Sequence, residues 1–521
     1  MSLRFDAARP AALAPGALEA ARAAQRGRRF PAAARDALLA GPGEAAARAR
    51  EALLAGGVLA VTTGQQPGLF TGPLYTIHKA VTAVALAEAL AARWSVPVVP
   101  VFWVAGDDHD FAEINHCGVM GADGALATIV LRERGEDAPM LPAYREPVGA
   151  EGERALAALE AALPPSEFRA ETVAWLRGAY RAERSMAEAH AQALAELLAP
   201  LGVVVCRGWD AELKRAGGAV VLEALRAAPA LDAALADETE RLVAAGGRAQ
   251  VKVGEGMALA MVEGARGRDR LRMLPEGGFE LRRSAERFAL ADVERMLRTS
   301  PERVSANVLL RPVVEAHLLP TVAYVGGPAE VGYLAQVGPL FAHLAVPRPV
   351  PVPRLSGFVV EAKVEKVLQR FGLAASQLGA LGGADGGLEA ALAREALPGD
   401  AAEALAALRG ALAERYAALQ AAAKRVDPTL ERPVETARNQ GLHAVDEVEK
   451  RLVAALKRAN QAALDQVGRA RANLFPGGEP QERALTVATY LARHGAALLP
   501  SIREAAGAHA RSLLEAAPAA P

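Results

Sequence analysis

The chain has 521 residues, of which 52% are hydrophobic, with 59 basic and 60 acidic side chains and a formal net charge of −1. This length exceeds what one compact core organises, so two or three domains are expected, and the balanced charge favours a small polar ligand over nucleic acid or an anionic membrane. Two cysteines cannot build a disulfide framework, and no apolar run approaches the roughly 20 residues of a bilayer span. Because the start also lacks the pattern of a signal peptide, the sequence predicts a cytoplasmic protein.

The first quarter of the chain predicts an α/β fold. Residues 1–55 are rich in alanine and arginine at helical spacing, which predicts a helical lead-in. Residues 56–125 predict the first half of a parallel-sheet core, with strands over 58–63 and 97–105 around a helix over 73–93. Both strands are apolar and end in polar loops, and ligands bind where such strands end.

The middle of the chain predicts insertions and then a return to the core. Residues 126–304 predict connecting insertions, mainly helices and short glycine-linked strands, with a returning core strand near 202–208. Residues 305–385 predict the second half of the core. They repeat the order of strand, glycine turn and helix, in TVAYVGG and PAEVGYLAQVG, before the extended segment PVPVPRLSG.

The last part of the chain predicts a helical arm. In residues 386–470, apolar side chains recur at spacings of three and four over 405–426 and again over 442–459. Polar Arg415 and Glu449 fall on this seam, so the pattern favours an antiparallel coiled-coil arm that either dimerises or packs on itself. Residues 471–521 predict a helical segment that packs back on the body.

A glycine-rich turn, TTGQQPGLFTGP, follows the first predicted strand. Its glycines permit unusual backbone angles, and the amides of Gln65, Gln66 and Thr71 at the next helix start would attract a carboxylate or phosphate. The spacing matches no nucleotide-binding fingerprint, so a plain turn is the alternative. We predict catalytic roles for His78 and Lys79, and the alternative for His78 is a histidine buried between helix and sheet. The predicted substrate contacts here are Gly64, Gln65, Gln66, Gly68, Thr71, Gly72 and Tyr75.

An acidic run, GDDHD at residues 106–110, follows the second predicted strand. Carboxylates this close repel one another unless a cation lies among them, whether a substrate ammonium, Lys79 or a metal ion. A solvated loop is the alternative, but the position at the mouth of the sheet favours a site. We predict catalytic roles for Asp107, Asp108 and His109 in ammonium binding or proton transfer. The further substrate contacts predicted near this run are Trp103, Asp110 and Asn115.

A metal site is the minority alternative for the same region. Asp107, His109, His116 and Cys117 include plausible ligand types, but they show no recognised ligand spacing. We therefore expect no metal.

A third group of polar residues lies in the second half of the core. The glycines that end TVAYVGG expose a helix N-terminus, and Glu330, Tyr333 and Gln336 recur at a spacing of three, which predicts one wall of a site. Arg354 follows the proline-stiffened strand, where an arginine fork suits a carboxylate or phosphate. Packing is the alternative for Tyr333, and a surface position is the alternative for Arg354. The predicted substrate contacts are Arg311, Tyr324, Gly326, Gly327, Glu330, Tyr333, Gln336 and Arg354.

Four runs of this sequence closely resemble the bacillithiol-synthesis cysteine ligase family, BshC. They are TTGQQPGLFTGPLYTIHKA, PVVPVFWVAGDDHDFAEINH, NVLLRPVVEAHLLPTVAYVGGPAEVGYLAQVGPL and LFPGGEPQER. The resemblance implies a Rossmann-like core related to class I aminoacyl-tRNA synthetases, with connecting insertions and a C-terminal coiled-coil arm that makes a homodimer. It also implies the joining of the carboxylate of L-cysteine to the amine of glucosaminyl-malate.

The synthetase relationship implies ATP as a candidate for activating the carboxylate. The sequence departs from both synthetase signatures, because TIHK stands in the place of HxGH and PRLSG near Arg354 lacks paired lysines. Our hypothesis gives anionic groups to the glycine turn, His78 and Lys79, and gives an ammonium to the acidic run. It requires the loops near residues 64, 107 and 326 to converge on one cavity.

Two alternatives come from other functional classes. A non-catalytic scaffold would use the coiled-coil arm as its working surface and would give no heat on titration with glucosaminyl-malate. A metal-dependent hydrolase would use the acidic run and would carry bound metal after purification.

Overall fold

The computed structural model describes residues 4–7, 9–14, 16–380, 397–459 and 461–515. The described residues form two compact units, one within residues 3–359 and 481–521 and the other within residues 360–480. The strands are β1 (Arg4–Ala7), β2 (Leu38–Leu39), β3 (Leu59–Gln65), β4 (Val98–Val104), β5 (His116–Met120), β6 (Leu126–Val130), β7 (Val204–Arg207), β8 (Met257–Gly264), β9 (Gly267–Met273), β10 (Phe279–Leu281), β11 (Arg287–Phe288), β12 (Val304–Ala306), β13 (Thr321–Gly326), β14 (Val350–Pro353) and β15 (Gly357–Val360).

A six-stranded sheet forms the centre of the larger unit. Its strand order is β14, β13, β3, β4, β7 and β2. The first five strands pair in parallel, and β2 runs antiparallel at the edge. Nearly every residue of β3 and β4 is buried, as expected when helices cover both faces of a parallel sheet. The predicted α/β, Rossmann-like fold is confirmed.

Helices cover this sheet and fill the insertions. Helix Tyr75–Trp94 connects β3 to β4 and is buried along most of its length. The C-terminal helix Leu498–Leu514 packs on it and places Leu513 in one core with Leu86 and Leu90. The other helices of this unit are Ala17–Ala24, Glu44–Ala55, Phe111–Ile114, Glu151–Ala162, Arg169–Ala179, Met186–Leu198, Ala211–Arg226, Ala228–Ala244, Leu290–Thr299, Arg311–Leu318, Pro328–Gln336, Gly338–His343, Gln481–Ala484 and Ala488–His494.

The lead-in and the insertion both contribute strands. Within residues 1–55, which we predicted to be helical, β2 extends the sheet by pairing Leu38 with Cys206 and Leu39 with Val205. A two-residue strand carries no periodic signal, so the sequence pattern could not reveal it. In the insertion, strands β8 to β12 form a separate antiparallel sheet in the order β11, β10, β9, β8 and β12.

The smaller unit is helical. Two long helices, Gly399–Val426 and Glu431–Ala459, pack together. Their ion pairs, Arg409 with Asp446 and Lys424 with Glu431, show that the helices run antiparallel. Leu408 and Leu419, which belong to the apolar pattern predicted over 405–426, are 50% and 52% exposed. The predicted start of the arm at residue 386 lies outside the described residues. The other helices of this unit are Ala362–Phe371, Gln377–Ala380 and Gln461–Leu474.

The larger unit is interrupted once. The chain leaves it after Val359 and returns at Gln481. These two residues bond each other, because the Val359 amide donates to Gln481 Oε1 and Gln481 Nε2 donates to the Val359 carbonyl, each at 3.3 Å. In the part of the chain that the structure describes, no helix combines the length and apolar character needed to span a bilayer.

Candidate functional site

A cavity of about 730 Å³ opens at the carboxyl ends of the parallel strands. Gln66 follows β3, Asp107 follows β4, Lys214 comes from the helix after β7, and Gly327 follows β13, and all four line it. This volume lies within the usual range of small-molecule sites. The loops near residues 64, 107 and 327 therefore meet at one cavity, where ligands bind in open α/β sheets.

The acidic run forms one side of this cavity. Gln66 Nε2 donates to Asp108 Oδ2 at 2.7 Å and to Glu113 Oε2 at 2.9 Å, and the Asp110 amide donates to Asp108 Oδ1 at 3.0 Å. Burial opposes the charge of Asp108, but the Asp110 amide, Arg268 and Gln66 outweigh burial and hold its pKa below the ordinary value. Asp108 is therefore an ionised carboxylate, which suits an ammonium ligand.

His109 is a neutral side chain at the same edge. Burial and then the charge of Arg268 lower its pKa to about 4. Arg268 Nη1 lies 3.1 Å from His109 Nδ1, and a guanidinium only donates, so Nδ1 accepts and Nε2 carries the proton. Arg268 is itself fixed by bonds to Ser305 Oγ at 2.8 Å and the Ala306 carbonyl at 2.9 Å. His109 can thus donate a hydrogen bond at neutral pH, whereas its proton-free nitrogen is already occupied.

Lys79 connects two strand ends across the cavity wall. Its ammonium donates to the Gly64 carbonyl at 2.8 Å and to Gln65 Oε1 at 2.7 Å, and it pairs with Glu330. Burial lowers its pKa, and the Glu330 charge acts in the opposite direction. All three donors of the ammonium therefore have protein partners, so Lys79 orders the wall.

Arg311 and Tyr333 complete this wall, and Tyr324 supports them from behind. Arg311 donates to Glu315 at 2.7 Å and to the hydroxyls of Tyr324 and Tyr333 at 3.2 and 3.0 Å. The Tyr324 hydroxyl donates to Glu330 Oε1 at 3.0 Å. The pKa of each tyrosine is raised, mainly by burial, so both hydroxyls stay neutral and can donate hydrogen bonds. The network holds Glu330 between Lys79 and Tyr324.

Three backbone amides of the glycine turn, including the predicted Thr71 amide, have acceptors within the protein. The Gly68 amide donates to the Gln66 carbonyl at 2.9 Å, the Thr71 amide to the Tyr180 hydroxyl at 2.8 Å, and the Gly72 amide to the Leu69 carbonyl at 2.9 Å. Gly68 is needed for packing, since an added Cβ would lie 2.8 Å from Gly72 Cα. Gly68, Thr71 and Gly72 do not line the cavity, so the predicted ligand contact of the Thr71 amide is wrong.

His78 lies away from the cavity. It is fully buried, and its Nδ1 is 3.2 Å from Glu482 Oε2. Burial lowers its pKa, while Glu482 acts in the opposite direction. His78 therefore does not face a bound anion as predicted. It is connected to the cavity only through Glu482, which binds Arg354 of the lining.

Four other predicted contacts lie outside the lining. Asn115 donates to the Arg132 carbonyl at 2.9 Å, and Gln336 Oε1 accepts the amides of Gln250 and Val251. Both side chains stabilise neighbouring loops. The other two, Tyr324 and Gly326, belong to β13 behind the wall.

The described residues also bear on the metal alternative. Across the described ranges, no group of three or more His, Cys, Asp or Glu side chains is arranged to hold a metal ion. Cys117 is buried in β5, and burial raises the pKa of its thiol.

Two protein-family models match this chain. The family model described as "Bacillithiol biosynthesis BshC, N-terminal Rossmann-like domain" matches residues 39–355, and the one described as "Bacillithiol biosynthesis BshC, C-terminal coiled-coil domain" matches residues 357–511. The chain belongs to the BshC family. Residues 481–511 fall within the second match, although they fold in the unit that contains the cavity.

Curated relatives support this placement. A protein from Salinibacter ruber is 33% identical over 460 residues, which cover 86% of this chain and 80% of the relative. One from Koribacter versatilis is 34% identical over 456 residues, covering 87% and 82%, and one from Prosthecochloris aestuarii is 30% identical over 472 residues, covering 87% and 81%. Each has the provisional name of cysteine ligase BshC.

In this BshC protein, many predicted contacts do line the cavity, and several lining residues were missed. Lys214 follows β7, so applying the strand-end rule to GVVVCRG would have found it. Arg268, Ser305 and Asn307 belong to the antiparallel insertion and carry no comparable signal. The predicted residues in the lining are Gly64, Gln65, Gln66, Tyr75, Lys79, Trp103, Asp107, Asp108, His109, Asp110, Arg311, Gly327, Glu330, Tyr333 and Arg354.

Proposed function

We propose that this chain is the cysteine ligase of bacillithiol biosynthesis and joins L-cysteine to glucosaminyl-malate through an amide bond. Membership of the BshC family and the cysteine ligase names of its relatives support this activity. The single structural observation that carries it is the ionised Asp108, held by Gln66 in a cavity that arginines also line.

The chemistry of both substrates suits this lining. Each has an amino group and at least one carboxylate, and the cavity has the carboxylates of Asp108 and Glu113 as well as the guanidinium groups of Arg268 and Arg354. Charge-assisted hydrogen bonds of this kind fix orientation as well as affinity. We assign the ammonium of a substrate to Asp108 and substrate carboxylates to the arginines.

ATP is our proposed activating nucleotide, on the basis of the family relationship to synthetases. An amide forms from a carboxylate only when one carboxylate oxygen leaves, and a nucleotide makes that oxygen a good leaving group. In the glycine turn, the amides of Gly68, Thr71 and Gly72 are already bonded within the protein and are not free to bind a phosphate.

We also propose that the protein is a cytoplasmic homodimer that associates through the arm. The arm exposes Leu408, Leu419, Val448 and Leu452, and antiparallel helical pairs bury such residues by associating with a second pair. The free, buried thiols of Cys117 and Cys206 fit a reducing compartment.

Reconstitution tests the activity. Purified protein, L-cysteine and glucosaminyl-malate are incubated with and without ATP and Mg²⁺, and the thiol product is followed by mass spectrometry. We expect product with ATP, and a loss on the order of 100-fold in Asp108→Asn, because the charge that binds the ammonium is removed. Asp137→Asn, at an exposed site, is the matched control.

Each outcome separates this proposal from its rivals. No product in either arm, with no heat on titration of glucosaminyl-malate, would favour a scaffold. Product without ATP would remove the nucleotide from the proposal. Equal product from wild type and Asp108→Asn would refute the ammonium assignment, and stoichiometric metal on elemental analysis would favour the hydrolase.

A further inference from the structure

Glu482 lies at the point where the chain re-enters the larger unit, and it collects donors from several segments. Its carboxylate accepts hydrogen bonds from both Nη atoms of Arg354, at 2.9 and 2.7 Å, and from the Ser356 hydroxyl at 2.8 Å. The Gly357 amide donates to it at 3.2 Å, and His78 Nδ1 is 3.2 Å away. One carboxylate thus fixes the loop after β14 and the helix after β3.

Arg354 reaches the cavity in a defined orientation. One Nη also donates to the Leu355 carbonyl at 2.8 Å, so the Nη side of the guanidinium faces the protein. Among the described residues, Arg354 Nε has no hydrogen-bond acceptor. A Cβ added to Gly327 would lie 3.7 Å from this nitrogen, and the guanidinium carbon is 5.3 Å from the centre of the Tyr75 ring. Since Gly327 and Tyr75 both line the cavity, the Nε side faces it.

The residues after Glu482 also hold the glycine turn. The Leu74 amide donates to the Leu485 carbonyl at 2.7 Å, and the Thr486 hydroxyl donates to the Phe70 carbonyl at 2.6 Å. Phe70 and Thr71 have φ values of 48° and 73°, which residues other than glycine adopt only when the surroundings impose them. The re-entering segment therefore holds the turn after β3, and its Arg483 lines the cavity.

We propose that Glu482 is a positioning residue of the ligase site, which orients Arg354 so that its Nε–H binds a substrate carboxylate beside Gly327 and Tyr75. The inference rests on the proposed function and adds a residue that lies outside the matched Rossmann-like domain. Buried ion pairs give little net stability compared with apolar packing, so orientation is the role that this geometry favours.

A double-mutant cycle tests this role. We expect Glu482→Gln to lower kcat/KM on the order of 10- to 100-fold, chiefly through the KM of the substrate whose carboxylate Arg354 binds. Because Glu482 acts through Arg354, adding Glu482→Gln to Arg354→Met should change kcat/KM by less than about twofold. The exposed Glu504→Gln is the control and should retain wild-type kinetics. Independent, multiplying losses in the double variant, or full activity in Glu482→Gln, would overturn the proposal.

A second measurement does not depend on activity. Wild-type Arg354 has a side chain only 4% exposed, so it should resist phenylglyoxal, and Glu482→Gln should make it reactive in peptide mass spectra. If Glu482→Gln does not fold, Glu482→Asp replaces it, because the shorter side chain keeps the charge and loses the paired geometry. If wild type makes no product, the proposed function fails, and labelling still decides whether Glu482 holds Arg354 in place. Equal labelling of Arg354 in wild type and variant would refute it.

Discussion

Lys214 and Asp107 form an ion pair across neighbouring strand ends, with 2.6 Å between Lys214 Nζ and Asp107 Oδ1. Lys214 also donates to the Glu302 carbonyl at 2.6 Å, and its side chain is 7% exposed. The pair therefore connects the loop after β4 to the insertion. It also neutralises one carboxylate of the acidic run and leaves Asp108 as the charge for a ligand.

Removing this lysine should impair the site. We expect Lys214→Met to lower kcat/KM by about tenfold or more, because Asp107 loses its partner and the loop that carries Asp108 shifts. Steady-state kinetics with both substrates checks this. Lys252→Met, at a lysine that is 84% exposed, is the control and should behave as wild type. Unchanged kinetics in Lys214→Met would show that the pair has no part in the reaction.

Gln66 should control affinity for the amino substrate. Its amide group bonds both Asp108 and Glu113, so Gln66→Leu leaves two carboxylates without the donor that fixes them. We expect the KM for one amino substrate to rise about tenfold while kcat changes less. Gln369→Leu removes a similar amide-to-carboxylate bond at an exposed site and should have no effect. A fall in kcat alone would contradict an ammonium-binding role.

His190 should make the fold sensitive to acid. It is fully buried against the Gly68 carbonyl at 3.1 Å, and burial lowers its pKa from 6.5 to about 4. The unfolded chain therefore binds a proton below pH 6.5 that the folded protein refuses, so stability falls as the pH drops from 6.5 towards 4. At pH 4.5 this costs about 2–3 kcal/mol of unfolding free energy.

Denaturation of His190→Gln at pH 7 and pH 4.5 checks the sign. The variant should lose less stability between these two pH values than wild type does, by about that amount. His343→Gln, an exposed histidine in the same unit, should follow wild type. Parallel pH profiles for wild type and His190→Gln would show that this imidazole is not the source.

The arm should determine the oligomeric state. Leu419 and Val448 are each 52% exposed, and a glutamate at either position would put charge into an apolar interface. We expect Leu419→Glu and Val448→Glu to shift sedimentation from dimer to monomer. Ala418→Glu adds the same charge at the neighbouring position and should leave the dimer intact. A wild-type monomer, or dimers in every variant, would contradict association through these residues.

Long apolar runs made the sheet predictable, whereas short pairings did not. The strands around 58–63 and 97–105 are seven residues each in the structure, and burial on both faces leaves a continuous apolar signal. β2 has two residues and depends on tertiary pairing with β7. In the arm, heptad spacing does not say which apolar positions face the partner helix, and Leu408 and Leu419 are 50% and 52% exposed.

The strand-end rule found the cavity but not the direction of each side chain. His78 and Lys79 are adjacent, and successive residues on a helix point about 100° apart, so Lys79 lines the cavity while His78 points to Glu482. Glu482 itself is more than a hundred residues from Arg354 in sequence, and no local pattern joins them. Its partnership becomes visible only in three dimensions.

The two hydrogen bonds between Val359 and Gln481 hold together the two points at which the chain leaves and re-enters the larger unit. The segment between these residues begins and ends at neighbouring positions, so a short glycine linker could replace it. The shortened variant would keep the contact between Arg354 and Glu482 and would lack the arm. The segment between Val359 and Gln481 can therefore change in length or sequence without separating Arg354 from Glu482.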